Sequence, residues 1–362
     1  MGREESIGAP CILATGGAGY IGSHVVIELL NAGYKVVILD NFENSDRQVA
    51  ARIPRIATGD VTLVEGDVRD THVVEEVLRS FRVDAVIHLA GKKAVGESVA
   101  NPLLYFGDNL MGAIALLQAM SNAGVPSLVF SSSATVYGTP EIVPIDETAP
   151  TGVSSPYGRT KLMIEQMIDD VAVSWPAFQA VSLRYFNPVG AHRSGLIGER
   201  PSGVPNNLFP YVAQTAAGQR DRLSVFGDDY DTPDGTGIRD YIHVVDLARG
   251  HVRAIEMLFR GYGDATHRHR RINLGTGRGY SVLEVIGAFA KASGQKIAHE
   301  IVARRPGDAA VSVADPGLAA RLLGWRAERD LESMCRDHWA FQKADDARED
   351  AIGAPDAMAM AS

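Results

Sequence analysis

The stretch TGGAGYIGSH, Thr15 to His24, follows an apolar run and opens a helical pattern. It holds Gly16-x-x-Gly19-x-x-Gly22 and, overlapping it, Gly17-x-Gly19-x-x-Gly22. Glycine serves three needs here: a tight turn, close backbone approach to a pyrophosphate, and helix–strand packing. The helix start adds free N–H groups and a positive dipole end. A glycine triplet alone is weak evidence. Its place between strand and helix makes it a dinucleotide-binding signature.

Working outward, the apolar runs CILATGG, KVVILD, VTLVEGD, DAVIHLAG, SLVFSSS and AVSLRYF alternate with helical patterns. Several are continuous, as buried parallel strands should be. Apolar positions 25, 26, 29 and 30 mark one helix, with Gly33 as its stop. Repeated strand–helix–strand units predict an α/β fold: a Rossmann-type doubly wound parallel sheet over residues 11–186. A smaller mixed α/β substrate-binding domain is expected over 187–342, with segments able to interleave with the first. Residues 343–362 read as a flexible tail. Residues 187–240, rich in Gly, Pro and Asn, read as long functional loops. IHVVDLARGHVRAIEML and SVLEVIGAFAKASG read as helices, and GYGDATHRHRR as a surface insertion with solvated histidines.

The bulk numbers exclude some classes. The 362-residue chain has a formal net charge of -9, which disfavours sequence-independent nucleic-acid binding. Local arginines can still serve an anionic ligand. Two distant cysteines, Cys11 and Cys335, form neither a disulfide framework nor a metal cluster; a reducing cytoplasm is expected, and no metal. No apolar run approaches the ~18 residues that span a bilayer. Gly2 and Ser6 match a short myristoylation pattern. Glu4 and Glu5 would repel an anionic membrane, so an unmodified start is expected.

Asp40 ends the second strand, where a carboxylate accepts from ribose hydroxyls and repels a 2′-phosphate. NAD is therefore expected over NADP. Asp67 ends the third strand, beside the expected adenine. Tyr157 and Lys161, four residues apart on a helix, project from one face. Ser133 closes the strand SLVFSSS in the carboxyl-end crevice. A tyrosine works as a base only if its pKa, about 10 unperturbed, is lowered. The Lys161 charge is expected to lower it, and an oxidised nicotinamide to add to that. Together these residues predict alcohol–ketone redox chemistry.

At this point the sequence resembles the extended short-chain dehydrogenase/reductases, through the glycine loop, Ser133 and Tyr157-x-x-x-Lys161. More closely, GDVRD, HLAGKKAVGES, FSSSATVYG, SPYGRTKLM, RYFNPVGAH, GVPNNL, VFGDDYDTPDGTGIRDYIHVVDLA, INLGTG and RRPGDAA resemble UDP-glucose 4-epimerases. The resemblance covers roughly residues 11–342. It implies Tyr157 as base, Lys161 tuning it and holding the nicotinamide ribose, and Ser133 on the 4-oxygen. It implies NAD contacts from Gly16, Gly19, Tyr20, Ile21, Gly22, Asp40, Asn41, Asn44, Ser45, Asp67, Val68, Leu89, Ala90, Gly91, Lys93 and Phe186. It implies UDP-sugar contacts from Asn187, Asn207, Leu208, Ser224, Val225, Phe226, Arg239, Arg305, Asp308 and Ser312. Guanidinium forks at 239 and 305 suit a diphosphate.

The implied activity interconverts UDP-glucose and UDP-galactose through a 4-keto sugar. The small Ser312 stands at the family's sugar-pocket gatekeeper position, which extends the expectation to UDP-GlcNAc and UDP-GalNAc. Asp108 stands where relatives often carry Asn, and its charge would favour the oxidised cofactor. A homodimer is implied by resemblance only. Two alternatives stay open. A nucleotide-sugar 4,6-dehydratase needs acidic residues after the catalytic Ser or Thr, where this chain has Ala134 and Thr135. A non-catalytic NAD sensor would have no reason to keep Ser133, Tyr157 and Lys161 together.

Overall fold

The computed structural model describes residues 8–201, 203, 205, 207–261, 268–305 and 308–353. The myristoylation pattern at Gly2 and Ser6 lies outside them. Six strands form in the first half: β1 (Cys11–Thr15), β2 (Lys35–Asp40), β3 (Val61–Glu65), β4 (Ala85–His88), β5 (Ser127–Ser133) and β6 (Gln179–Tyr185). Seven further strands follow: β7 (Asn187–Val189), β8 (Leu223–Phe226), β9 (Ile238–His243), β10 (His269–Leu274), β11 (Gly279–Ser281), β12 (His299–Val302) and β13 (Val311–Ser312). The main sheet has the order β10-β6-β5-β4-β1-β2-β3, and every pairing in it is parallel. The strand order reverses between β1 and β4, which opens a crevice at their carboxyl ends.

Among the described residues, five helices of ten or more residues cover this sheet. Helix α1 (Tyr20–Asn31) starts directly after the glycine loop and ends before Gly33, whose φ is +87°. Helices α2 (Thr71–Ser80), α3 (Pro102–Ala123) and α4 (Pro156–Ser174) pack one face through Val74, Leu116 and Ile164. The other face takes α1, through Val26, and a helix from the second half, through Leu247 and Ile255. That helix comes after α5 (Leu208–Ala216) and is α6 (Val244–Arg260). The second region therefore returns β10 and α6 to the first sheet. Its own core joins Phe209, Val212, Tyr241 and Phe289 to Met334 and Cys335 of the terminal helix. Two small sheets complete it, β11-β9-β13 with β7 on β9, and β12 with β8.

Several expectations change. VTLVEGD is an edge strand with Thr62, Leu63 and Glu65 exposed; among the described residues no strand pairs beyond β3. Residues 187–240 are not all loop: α5, β7 and β8 lie there, held by burial of Phe209, Val212 and Val225 rather than by length or periodicity. His269 is no solvated histidine. It starts β10, bonding the Ser182 hydroxyl at 2.7 Å and Asp169 at 2.8 Å. His267 lies outside the described residues. The terminal helix, α7 (Leu331–Gly353), carries regular structure well past residue 343. Asp345 is buried in it and pairs with Arg348 and Arg200. Helix α3 is long and apolar enough to cross a membrane by length and composition, yet Asp108, Asn109 and Gln118 break its apolar run, and half of its most apolar window is buried.

Candidate active site

The glycine loop turns where β1 ends. Gly16 has φ +71°, and a Cβ there would stand 2.7 Å from the Ala90 nitrogen. A Cβ on Gly22 would stand 2.2 Å from the Gly16 oxygen, so glycine lets α1 reach the loop. Gly19 differs. Its added Cβ would meet only the Gly16 oxygen, at 3.3 Å, so its bare side faces open space. The loop borders a cleft of ≈ 540 Å³. Every expected cofactor residue from Gly16 to Lys93 lines that cleft, and so does Asn207.

The Asp40 carboxylate is buried and already accepts from the Ala18 nitrogen at 2.9 Å, the Phe42 nitrogen at 3.0 Å and the Ser45 hydroxyl at 2.7 Å. A carboxylate has about four acceptor positions. Capacity therefore remains for a ligand hydroxyl. Asp67 accepts from Asn41 at 3.1 Å and from Arg69, whose guanidinium holds its carboxyl down at about 2. Asp108 sits in a π-helical turn of α3, Phe106–Leu110, a device common at functional sites. It pairs with Arg69 and, at 3.6 Å, with Lys92. Its charge is thus compensated within the protein, and the expected bias toward oxidised cofactor loses its basis. The neighbouring Asn109, missed in the sequence, accepts from the Lys92 nitrogen and donates to its oxygen and to Thr160. It ties the loop after β4 to α4.

Ser133 ends β5 with its hydroxyl accepting from Thr135, at 3.2 Å from the nitrogen and 3.0 Å from Oγ1. Tyr157 and Lys161 share the inward face near the start of α4. Lys161 Nζ donates to the Ser131 oxygen at 2.7 Å and lies 5.8 Å from the Tyr157 ring centroid. Burial pushes the Tyr157 phenol up to about 12, against a smaller downward pull from Ser133. Lys161 is itself lowered to about 8 by burial. The expected depression of Tyr157 by the lysine is therefore absent from the protein alone: burial raises the phenol, and the downward pull comes from Ser133. Behind this trio, Glu165 accepts from Ser132 at 2.6 Å and pairs with buried Arg184 at 2.6 Å. That pair was not read from the sequence, since nothing local shows that α4 and β6 meet there.

The expected sugar-side residues, with the cofactor-side Phe186, fall into four groups. Arg239 pairs with Asp308, and Ser312 lies beside Arg239 in the β13–β9 register. Arg305 covers the Phe226 ring at 3.9 Å, while Val225 points into the core and offers only backbone. Asn207 precedes Leu208 at the start of α5. Asn187 begins β7, and Phe186 is buried beside Val136 and Tyr137. Of all these, only Asn207 borders the large cleft; the others lie outside its lining. Among the described residues no group of His, Cys, Asp and Glu could hold a metal ion.

With this geometry in place, relatives can be weighed. UDP-glucose 4-epimerase from Bacillus subtilis (strain 168) is 54% identical over 333 residues, covering 92% of this chain and 97% of the relative. The Homo sapiens enzyme of that name is 52% identical over 339 residues, covering 92% and 96%. The chain belongs to the UDP-glucose 4-epimerase family. The broader protein-family model described as GDP-mannose 4,6 dehydratase matches residues 13–338. Among solved structures, the Stenotrophomonas maltophila UDP-glucose 4-epimerase with NAD and formylated UDP-arabinopyranose is 51% identical, with TM-score 0.90 over 94% of this chain and 99% of the other. The Bifidobacterium longum enzyme with NAD+ and UDP is 50% identical, with TM-score 0.87 over 93% and 99%. The fold of the 4-epimerase family is thus this fold, an α/β doubly wound sheet with an appended smaller region.

Proposed function

We propose that the chain interconverts UDP-glucose and UDP-galactose by oxidation at carbon 4 to a 4-keto sugar and re-reduction on the opposite face. The observation that carries this is the meeting of Ser133, Tyr157 and Lys161 at the carboxyl end of β5, beside the dinucleotide cleft. Similarity to enzymes that share most of this chain's length supports it. The cleft fits NAD: Gly19 opens on it, and Asp40 keeps acceptor capacity while repelling a 2′-phosphate. Gly16 to Gly22, Asp40 to Ser45, Asp67, Val68, Leu89 to Gly91, Lys93, Lys161 and Phe186 would hold it. When bound, NAD supplies a reversible hydride acceptor and a positive charge near Tyr157.

Tyr157 takes the 4-hydroxyl proton and later returns it. Ser133 bonds the 4-oxygen. Lys161, still largely protonated at neutral pH, holds positive charge on the same helix face. Arg239 and Arg305 suit the diphosphate, with Asn187, Asn207, Leu208, Ser224 to Phe226 and Asp308 around the nucleotide and sugar. Thr135 spends its hydroxyl on Ser133, and Ala134 has no acid, so elimination of water as in a 4,6-dehydratase lacks its acid–base pair. The half-buried Ser312 is small, which extends the substrates to UDP-GlcNAc and UDP-GalNAc; a Campylobacter jejuni relative, 36% identical, is a UDP-Glc/GlcNAc 4-epimerase.

We further infer a homodimer in a reducing cytoplasm. Val99, Leu103, Met111 and Ile114 are exposed near and along α3, and both cysteines are free and buried. Sedimentation of the purified chain tests the dimer. The decisive test of the activity heats purified protein, identifies the released nucleotide, and assays unheated protein on UDP-galactose without added NAD. Released NAD and formation of UDP-glucose are expected. Net NADH or a 4-keto-6-deoxy sugar would overturn the reading.

A further inference from the structure

At one end of the cleft, polar side chains close a ring. Lys92, after β4, donates to Glu43, after β2, at 2.5 Å and stands 3.6 Å from Asp108 of α3. Asp108 pairs with Arg69, after β3. Arg69 donates to Asp67 at 2.6 Å, and Asp67 accepts from Asn41 at 3.1 Å. Asn41 in turn accepts from the Glu43 nitrogen at 3.1 Å, which completes the circuit. Every member lines the cleft, which keeps its ≈ 540 Å³ with the ring closed.

The sheet order gives the ring its place. Strands β4 and β2 flank β1, so the Lys92–Glu43 pair spans the end of β1, where the glycine loop turns. Asn41 and Asp67 follow β2 and β3, on the side where an adenosine belongs. The ring therefore frames the adenosine half of the cleft. Its members differ in exposure. The side chains of Lys92 and Asp108 are 12% and 15% exposed, those of Arg69 and Glu43 41% and 49%. The inner pair keeps much of its attraction, while the outer members meet water and salt. Isolated surface pairs contribute little, but charges joined in a network do more. Both cations, Lys92 and Arg69, are committed to carboxylates of the protein, so the ring is built to hold its own loops together.

We propose that this ring is a clasp on the cofactor: the Lys92–Glu43 and Arg69–Asp108 pairs tie the loops after β2, β3 and β4 to α3 around the adenosine half, and a bound dinucleotide leaves only when they open. The clasp touches no reacting atom; its task is retention. Retention matters for a reaction that returns its hydride from the same cofactor, since a reduced dinucleotide lost midway strands the keto sugar. This rests on the reading of the cleft as an NAD site.

The test measures how fast purified holoenzyme exchanges its bound NAD for isotope-labelled NAD supplied in excess. It compares wild type, Lys92→Met, Glu43→Gln and the double variant, each at low salt and in about 1 M KCl, where the screening length falls to about 3 Å. Wild-type exchange is slow at low salt and quickens several-fold in KCl. Lys92→Met exchanges about three- to tenfold faster at low salt, the worth of one or two network pairs in a barrier, and loses most of its salt dependence. Glu43→Gln, altered only at the exposed rim, shows a smaller acceleration of the same kind. The double variant is no faster than Lys92→Met alone, because both changes open one pair. Exchange at the wild-type rate in Lys92→Met overturns the clasp. So does a wild type indifferent to salt, or a double variant whose acceleration is the product of the single ones. A purified wild type that holds no NAD would instead overturn the reading of the cleft.

Discussion

At the residue scale, the catalytic trio shows burial and charge acting against each other. Tyr157 sits high, at about 12, because its surroundings are apolar, and Lys161 is low for the same reason. The protein thus supplies geometry, and the charge that releases the proton must be completed by the reacting assembly. Tyr157→Phe is expected to fold with wild-type Tm and to lose turnover by about 10² to 10⁴, the worth of positioned base catalysis, in a UDP-galactose assay. Near-normal turnover would remove Tyr157 from its role. Ser312→Tyr should depress UDP-GalNAc turnover selectively, leaving UDP-galactose turnover largely intact. Equal loss on both substrates would show that Ser312 does not shape the sugar pocket.

Elements show which residues hold that trio in place. Helix α4 is tied to β5 and β6 through Glu165, Ser132 and Arg184, and Arg271 of β10 reaches Glu165 at 3.2 Å. Removing one partner of a buried pair leaves an uncompensated charge. Glu165→Ala should therefore cost about 3–5 kcal/mol in urea unfolding, and replacing Glu165 and Arg184 together by apolar residues should recover much of it. The glycine loop depends on contact rather than charge. Gly22→Ala places a methyl against the Gly16 oxygen, so about 1–3 kcal/mol of stability and the retained NAD should go together. Retained NAD with a large stability loss would separate the loop's packing from its binding role.

Across the whole molecule, burial has made several histidines reluctant to ionise. Burial lowers His24 and His88 to about 3, and His251 and His338 to about 4. Unfolded, each would titrate near 6.5. Between these values the unfolded state binds protons that the folded state refuses, so stability is full above about pH 6.5 and falls as pH drops below it. The slope approaches about 1.4 kcal/mol per pH unit for each histidine. Urea midpoints measured between pH 7.5 and 5 should show it. A flat profile would mean these rings are solvated in solution.

Some of this was legible in the chain alone. The nucleotide loop, Asp40, Ser133 and Tyr157–Lys161 are local patterns, because phosphate cradles, strand ends and i,i+4 helix faces are set by short-range backbone geometry. They determined the sheet type and the redox chemistry. The family motifs, read as a resemblance, named the reaction. What needed tertiary structure depends on distant segments meeting. His269 reads as solvated in the chain alone, whereas the pairing of β10 with β6 buries it beside Ser182. Residues 343–362 read as a tail, yet Asp345 pairs with Arg200 in the segment after β7. Asp108 reads as an unbalanced charge in the chain alone, whereas the fold sets Arg69 and Lys92 beside it. Glu199 carries no sequence signature; only folding places it between Lys93 and Asn207. Local sequence sets backbone conformation, whereas the protonation, pairing and accessibility of a side chain are set by whatever the fold packs against it.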